Sequence, residues 1–207
     1  MKTHTPIDAR TFTNIRNLKG LPSRVLAIHE EHYRSSVAKA NEIMQALVTA
    51  DRSTVSPVYS ELRSLKTALQ PVLATVKSYE IFFTHLGGDA RRPQKQLSEM
   101  FVRDFGGYEA FVHELTASAI ASRGWVALSY DLDMKRLMCV TGDTPEQLTV
   151  WNNAPILVLE VSASTAALEF GGDRRRYISA LLDSIDWAVA ERNLEDAIGL
   201  QPAGKPY

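Results

Sequence analysis

The sequence predicts an α+β fold, a long N-terminal α-hairpin followed by further helices and a short three-stranded sheet. Three observations carry that expectation. Two long stretches of helical period are joined by a brief polar break. Two apolar, β-branched and aromatic runs flank a polar turn, and a third apolar run precedes a last helical stretch.

From residue 23 to about residue 50, Val25, Leu26, Ile28, Val37, Ile43, Met44 and Leu47 recur at steps that fit one helix face, with Ser23 as its N-cap. Asp51 to Thr54 and Ser56-Pro57 interrupt the pattern, and a second helix follows over about residues 58–86, with Pro71 as a kink or start point and Gly87-Gly88 as its end. Two long helices across so short a link form a hairpin. Residues 94–105 and 108–123 read as third and fourth helices around Gly106-Gly107. Strands are expected over 125–130, 136–141 and 156–161, and a single helix over 175–197. The chain then divides into an extension (1–20), the hairpin (21–90), an α/β unit (91–198) and a tail (199–207).

Composition narrows the function classes. A chain of 207 residues, 45% hydrophobic, can bury a sizeable core. A net charge of −1 provides no field for nucleic acid or an anionic membrane, and Arg91-Arg92 and Arg174 to Arg176 read as solvated faces. The single cysteine, Cys139, excludes an intramolecular disulfide and a thiolate cluster. Neither a signal-peptide pattern nor an apolar run long enough to span a bilayer occurs, so a cytoplasmic location is expected. Gly87-Gly88 and Gly171-Gly172 lack the spacing of phosphate-binding loops.

Several motifs occur together in one order. Phe105-Gly106-Gly107-Tyr108-Glu109-Ala110-Phe111 is followed by Gly124-Trp125, then by Pro155-Ile156-Leu157-Val158-Leu159-Glu160-Val161-Ser162-Ala163-Ser164, then by Trp187 and Asn193. In that order they resemble the iron/manganese superoxide dismutases over residues 20–198. The resemblance implies that family's fold, an α-hairpin and a mixed domain around a three-stranded antiparallel sheet. It also implies where a metal would be held, by three histidines and one aspartate.

Those positions are altered here. In the family the last segment reads Pro-Leu-Leu-x-Leu-Asp-Val-Trp-Glu-His-Ala-Tyr-Tyr, and its Asp and His bind the metal; Glu160 and Ser164 stand there. On the second helix the family's Asn-His is Ser78-Tyr79, so Tyr79 takes a ligand position. On the first helix, alignment without a gap from Val37 and Asn41 puts Ile28 at the ligand position, whereas alignment from Leu21 puts His29 there with one residue deleted. In either register His32 matches the family's outer histidine, Ser36 its gating tyrosine and Thr75 its outer-sphere glutamine. Ala163 and Ser164 replace the Glu and His of the family's subunit bridge, and Ala166 and Ala167 its two tyrosines.

Two readings follow. The first is a superoxide dismutase-like protein without the usual ligand set, a binding or interaction protein for a protein or small molecule. It needs no cofactor, and its homodimer would lack the Glu–His bridge. Tyr79 would swing into the old metal position and refill it. The second is a metal-dependent oxidoreductase with a recast site of His29, Tyr79 and Glu160, with His32 or His85 moved in, holding iron or manganese. A phenol ligates only after losing a proton of pKa near 10, which demands a strongly Lewis-acidic ion. Pairing with a true dismutase is a third role that no residue specifically supports. Cys139 reads as a buried residue of a strand and His113 as a surface residue of the fourth helix.

Overall fold

A computed structural model describes residues 4–89 and 91–200. Residues 1–3 of the predicted extension and 201–207 of the predicted tail lie outside the described residues. The α+β expectation holds. Helices α1 (Ser23–Thr49) and α2 (Glu61–Thr84) form the hairpin, and α3 (Lys95–Phe105) and α4 (Tyr108–Ala121) follow. Strands β1 (Trp125–Asp131), β2 (Arg136–Gly142) and β3 (Asn153–Glu160) then lead into α5 (Ala163–Glu169), α6 (Arg174–Asp183) and α7 (Trp187–Gly199). Among the described residues no helix is long and apolar enough to cross a membrane.

The sheet has the order β2-β1-β3 with both pairings antiparallel. Every residue of β1 is buried, as a central strand covered on both faces requires. The β1–β3 register shifts between Leu128 and Ser129, where Ser129 faces Pro155 and Leu128 faces Leu157. Pro155 has no amide hydrogen to give to the ladder, so the edge strand bulges there. Beyond the bulge, Trp125 pairs with Glu160, which sets that carboxylate at the end of the sheet.

Several local expectations are corrected. Pro22, not Ser23, is the N-cap of α1, and no side chain closes that cap. Pro71 lies inside α2 without ending it. Its missing amide frees the carbonyl of Thr67, an exposed residue, so water can satisfy that group. The small-residue run after Glu160 forms α5, capped by Ser162, whose Oγ accepts from Thr165 N at 3.3 Å. The expected single helix over 175–197 is two helices. Asp186 accepts from Ala188 N at 3.0 Å and so starts α7, while Ser184 O accepts from Gly87 N and Gly88 N and ties the break to the end of α2. A side chain at Gly88 would place its Cβ 2.0 Å from Ile185 O, so this junction requires glycine.

The described part of the N-terminal extension contributes to the core. Phe12 and Ile15 are buried, Asn41 exchanges two hydrogen bonds with the Ile7 backbone (2.8 and 2.9 Å), and Asn14 Nδ2 donates to Phe83 O and Leu86 O. The arginine run is also only partly a solvated face. Arg175 and Arg176 are exposed, but the Arg174 guanidinium donates to the carbonyls of Ala119, Ile120, Ser122 and Val161. It thereby closes the C-terminal end of α4, where helix carbonyls lack partners, and fixes the chain just after Glu160.

His85, at the C-cap of α2, is fully buried, with Nε2 2.8 Å from Val158 O. Burial drives its pKa down to about 4, opposed by the Val158 bond, its own backbone and the charge of Asp186. Unfolding returns it to the ordinary value near 6.5, so the unfolded chain takes up the proton first as pH falls. The native state should therefore hold this stability in full above about pH 6.5 and lose about 3 kcal/mol of it on the way to pH 4. Urea unfolding across that window should show a shallower pH dependence in His85→Gln than in the wild type, because the shared carboxylate titrations cancel in the comparison.

Candidate functional site

The site lies where α1 and α2 meet the end of β3. The two registers for the first helix differ in which residue faces inward: Ile28 is 39% exposed, whereas His29 is 3% exposed. His29 is thus the imidazole inside the protein. From α2, Tyr79 reaches it at the same 3% exposure, its hydroxyl 3.2 Å from His29 Nδ1 and 3.4 Å from His32 Nδ1. The Tyr79 ring stacks on Phe83 (centroids 5.6 Å apart, 16° between planes) and meets Trp125 edge-on at 5.1 Å. Such pairs contribute about 0.5–1.5 kcal/mol each beyond area burial.

Glu160 closes the site from β3. It is 5% exposed, and its Oε2 lies 3.5 Å from His29 Nε2, which has no hydrogen-bond partner. The carboxylate accepts from Tyr177 OH at Oε2 (3.2 Å) and from Ser162 N at Oε1 (3.2 Å). A hydroxyl carries one hydrogen, so Tyr79 can donate to one imidazole and must accept from the other. The assignment that satisfies the network has His32 Nδ1–H donating to Tyr79, Tyr79 O–H donating to His29 Nδ1, and His29 Nε2–H directed toward Glu160.

The electrostatics agree with a neutral imidazole and a neutral phenol. Burial lowers the His29 pKa, against the attraction of Glu160, and His32 adds to the lowering. Burial raises the Tyr79 pKa, and the Glu160 charge raises it further. The same two causes hold the Tyr177 hydroxyl well above its ordinary value.

The other sequence-predicted positions lie apart. Ser164 is exposed on α5, its hydroxyl 3.0 Å from Ser162 Oγ. Ser36 donates to His32 O, and Thr75 donates to Pro71 O, so both bond within their own helices. His85 is bonded to Val158 and separated from His29 by the ring of Phe82. Ala163 and Ala167 are exposed on α5 and Ala166 is buried. Cys139 is half-buried on β2, its thiol pushed up to about 12 by burial, which leaves it unreactive. Tyr177, Trp125 and Phe83 were not singled out as site residues. Phe83 follows Tyr79 by one turn of α2, a spacing the sequence does display, whereas only the β1–β3 register and the placement of α6 bring Trp125 and Tyr177 to Tyr79 and Glu160.

The residues present can be tested against the iron or manganese that the resemblance implies. His29 Nε2 and Glu160 Oε2 face one region. Tyr79, however, approaches the opposite nitrogen of the imidazole and keeps its proton, and Ser164 points to solvent. Among the described residues no group of three or more His, Cys, Asp or Glu side chains is placed to hold one ion. Two donors converge where the family's centre needs four, so these residues do not fit it.

One consequence concerns stability. Tyr177→Phe removes a hydrogen bond to a buried carboxylate and changes no volume at the ring. It should cost about 1.5–3 kcal/mol in unfolding free energy at neutral pH, which chemical denaturation would measure.

Known proteins agree with the architecture. Residues 93–193 match the model for iron/manganese superoxide dismutases, C-terminal domain. The chain is 32% identical over 197 residues to "Superoxide dismutase [Fe]" of Aquifex aeolicus (strain VF5), covering 93% of this chain and 92% of that protein. It is 31% identical over the same shares to the protein of that name from Aquifex pyrophilus. A "Superoxide dismutase [Fe]" of Cupriavidus metallidurans is 27% identical over 87% of this chain and 92% of its own length. With helical hairpin, three-stranded antiparallel sheet and near full-length similarity in agreement, the chain belongs to the iron/manganese superoxide dismutase family.

Proposed function

We propose that this family member does not carry out metal-dependent dismutation and serves as a binding or interaction protein built on the dismutase fold. The observation that carries this reading is the Tyr79 phenol. It enters from the helix position where the family has a histidine, bonds to His29 Nδ1, and fills the space with a ring packed between Phe83 and Trp125. The phenol keeps its proton and occupies the Nδ1 side of His29, which leaves only His29 Nε2 and one carboxylate facing each other, fewer donors than a catalytic metal site uses. The partner is a protein or a small molecule. The net charge of −1 provides no attraction for nucleic acid or an anionic membrane. A homodimer would meet without the Glu–His bridge, because Ala163 and Ser164 occupy those positions.

Elemental mass spectrometry of tag-free protein, together with a dismutation assay on the same sample, tests the reading. Iron and manganese far below one equivalent, with no dismutation above solvent background, is the expected result; a loaded, active protein would sink it.

A second reading is favoured by one specific observation: His29 Nε2 is buried without a partner, 3.5 Å from Glu160 Oε2, and both atoms could share one ion. Metal near one equivalent that is lost in Glu160→Gln would support this recast centre. The two readings also predict different responses to Tyr79→His. A second imidazole beside His29 and Glu160 makes a three-donor set, the minimum of many catalytic metal sites. On the metal-free reading the wild type binds manganese undetectably in a dialysis titration and Tyr79→His gains measurable affinity. On the recast reading the wild type binds already.

A further inference from the structure

A buried phenol in contact with a neutral imidazole has chemistry of its own, and this inference rests on the metal-free reading above. Tyr79 keeps its proton in the resting protein because burial and the Glu160 charge oppose a phenolate. Removing an electron reverses that preference, since a phenol radical cation is a strong acid, so oxidation inside a protein requires a base already in hydrogen-bond contact. His29 Nδ1 is that base, 3.2 Å from the hydroxyl. Its opposite nitrogen faces the Glu160 carboxylate at 3.5 Å, which would offset the imidazolium charge produced. The oxidant need not enter the core, because His32, bonded to the same hydroxyl, is exposed. The indole of Trp125, itself buried, touches the phenol ring edge-on.

We propose that Tyr79 is a redox-active tyrosine that gives one electron to a small oxidant of the oxyl or peroxyl radical class while its proton passes to His29 Nδ1. The Tyr79 O–H bond breaks and an N–H bond forms on His29. The electron reduces the peroxyl radical to its anion, which takes a proton from water and leaves as a hydroperoxide. Tyr79 remains as a neutral phenoxyl and His29 as an imidazolium beside Glu160. Tyr33 and Tyr177 differ in their proton acceptors, because each donates to a carboxylate, Glu80 and Glu160 respectively. Of these three hydroxyls Tyr79 alone meets an imidazole nitrogen, and the cation formed there by the proton would face the Glu160 carboxylate.

The test is flash oxidation of chelator-treated, metal-assayed protein by photogenerated ruthenium(III), with electron paramagnetic resonance after rapid freezing. A tyrosyl signal is expected that narrows when the protein is grown on ring-deuterated tyrosine. It should persist in Tyr59→Phe, which alters an exposed residue, and fall several-fold in Tyr79→Phe, with circular dichroism confirming the fold. In His29→Gln, which keeps a hydrogen-bond acceptor but no base, the radical should decay several-fold faster. A signal unchanged by Tyr79→Phe, or abolished by Tyr177→Phe instead, overturns the assignment while the metal-free reading stands. Iron or manganese that resists the chelator overturns both.

Discussion

The carboxylate of Glu160 must be held inside the protein with no lysine or arginine paired to it among the described residues, and much of the surrounding structure answers that constraint. An uncompensated buried charge is expensive, so it has to be met by hydrogen bonds and favourable dipoles. Three elements supply them. Tyr177 arrives from α6, the Ser162 amide from the turn into α5, and His29 from the hairpin. The Arg174 guanidinium then locks the following peptide through Val161 O and ties it to the end of α4. A movement of β3 at this point would disturb the hairpin, the sheet and two C-terminal helices together.

The fold was largely legible because its long elements carry strong period. α1 buries Val25, Leu26, Val37, Ile43 and Leu47 as its period predicts, together with His29, Tyr33 and Ala40, while Ile28 and Met44 of the expected face are not buried. What escaped reading has a physical reason in each case. α5 spans seven residues, six of them Ala, Ser, Thr or Leu, and holds too few apolar side chains to display a face. The break between α6 and α7 lies in Ser184-Ile185-Asp186, which contains neither glycine nor proline. Its cause is tertiary, a cap at Asp186 and a docking of Ser184 onto Gly87 and Gly88. The extension looked polar because its anchors are the side chains of Asn14, Tyr33 and Asn41, whose targets lie far away in sequence.

The site was legible in a different way. Periodicity placed Tyr79 and His29 on helices but could not say which residue of the first helix turned inward; packing decides that, since Ile28 lies on the outer face. Comparison of motifs pointed to Glu160, yet the partners of Glu160 and Tyr79 depend on strand register and helix placement. Trp125 reaches the site only because the bulge at Pro155 carries the β1–β3 pairing forward by one residue. Without that bulge every later side chain of β3 would face the opposite side of the sheet, and Glu160 with it.

The three substituted positions make physical sense as one unit. Glutamate has one more methylene than aspartate, and its carboxylate comes within 3.5 Å of His29 Nε2. Tyrosine is longer than histidine, and its hydroxyl comes to the other nitrogen of the same ring. Each change alone would leave a fault. An aspartate would draw the acceptor back from Nε2, and a phenylalanine at position 79 would strip both imidazoles of their Nδ1 partner. Together they bracket His29 and fix its tautomer. On the proposed metal-free reading, with the phenol and the carboxylate in place, α5 has no ligand to supply. Ser164 on its outer face is the residue that such a site permits.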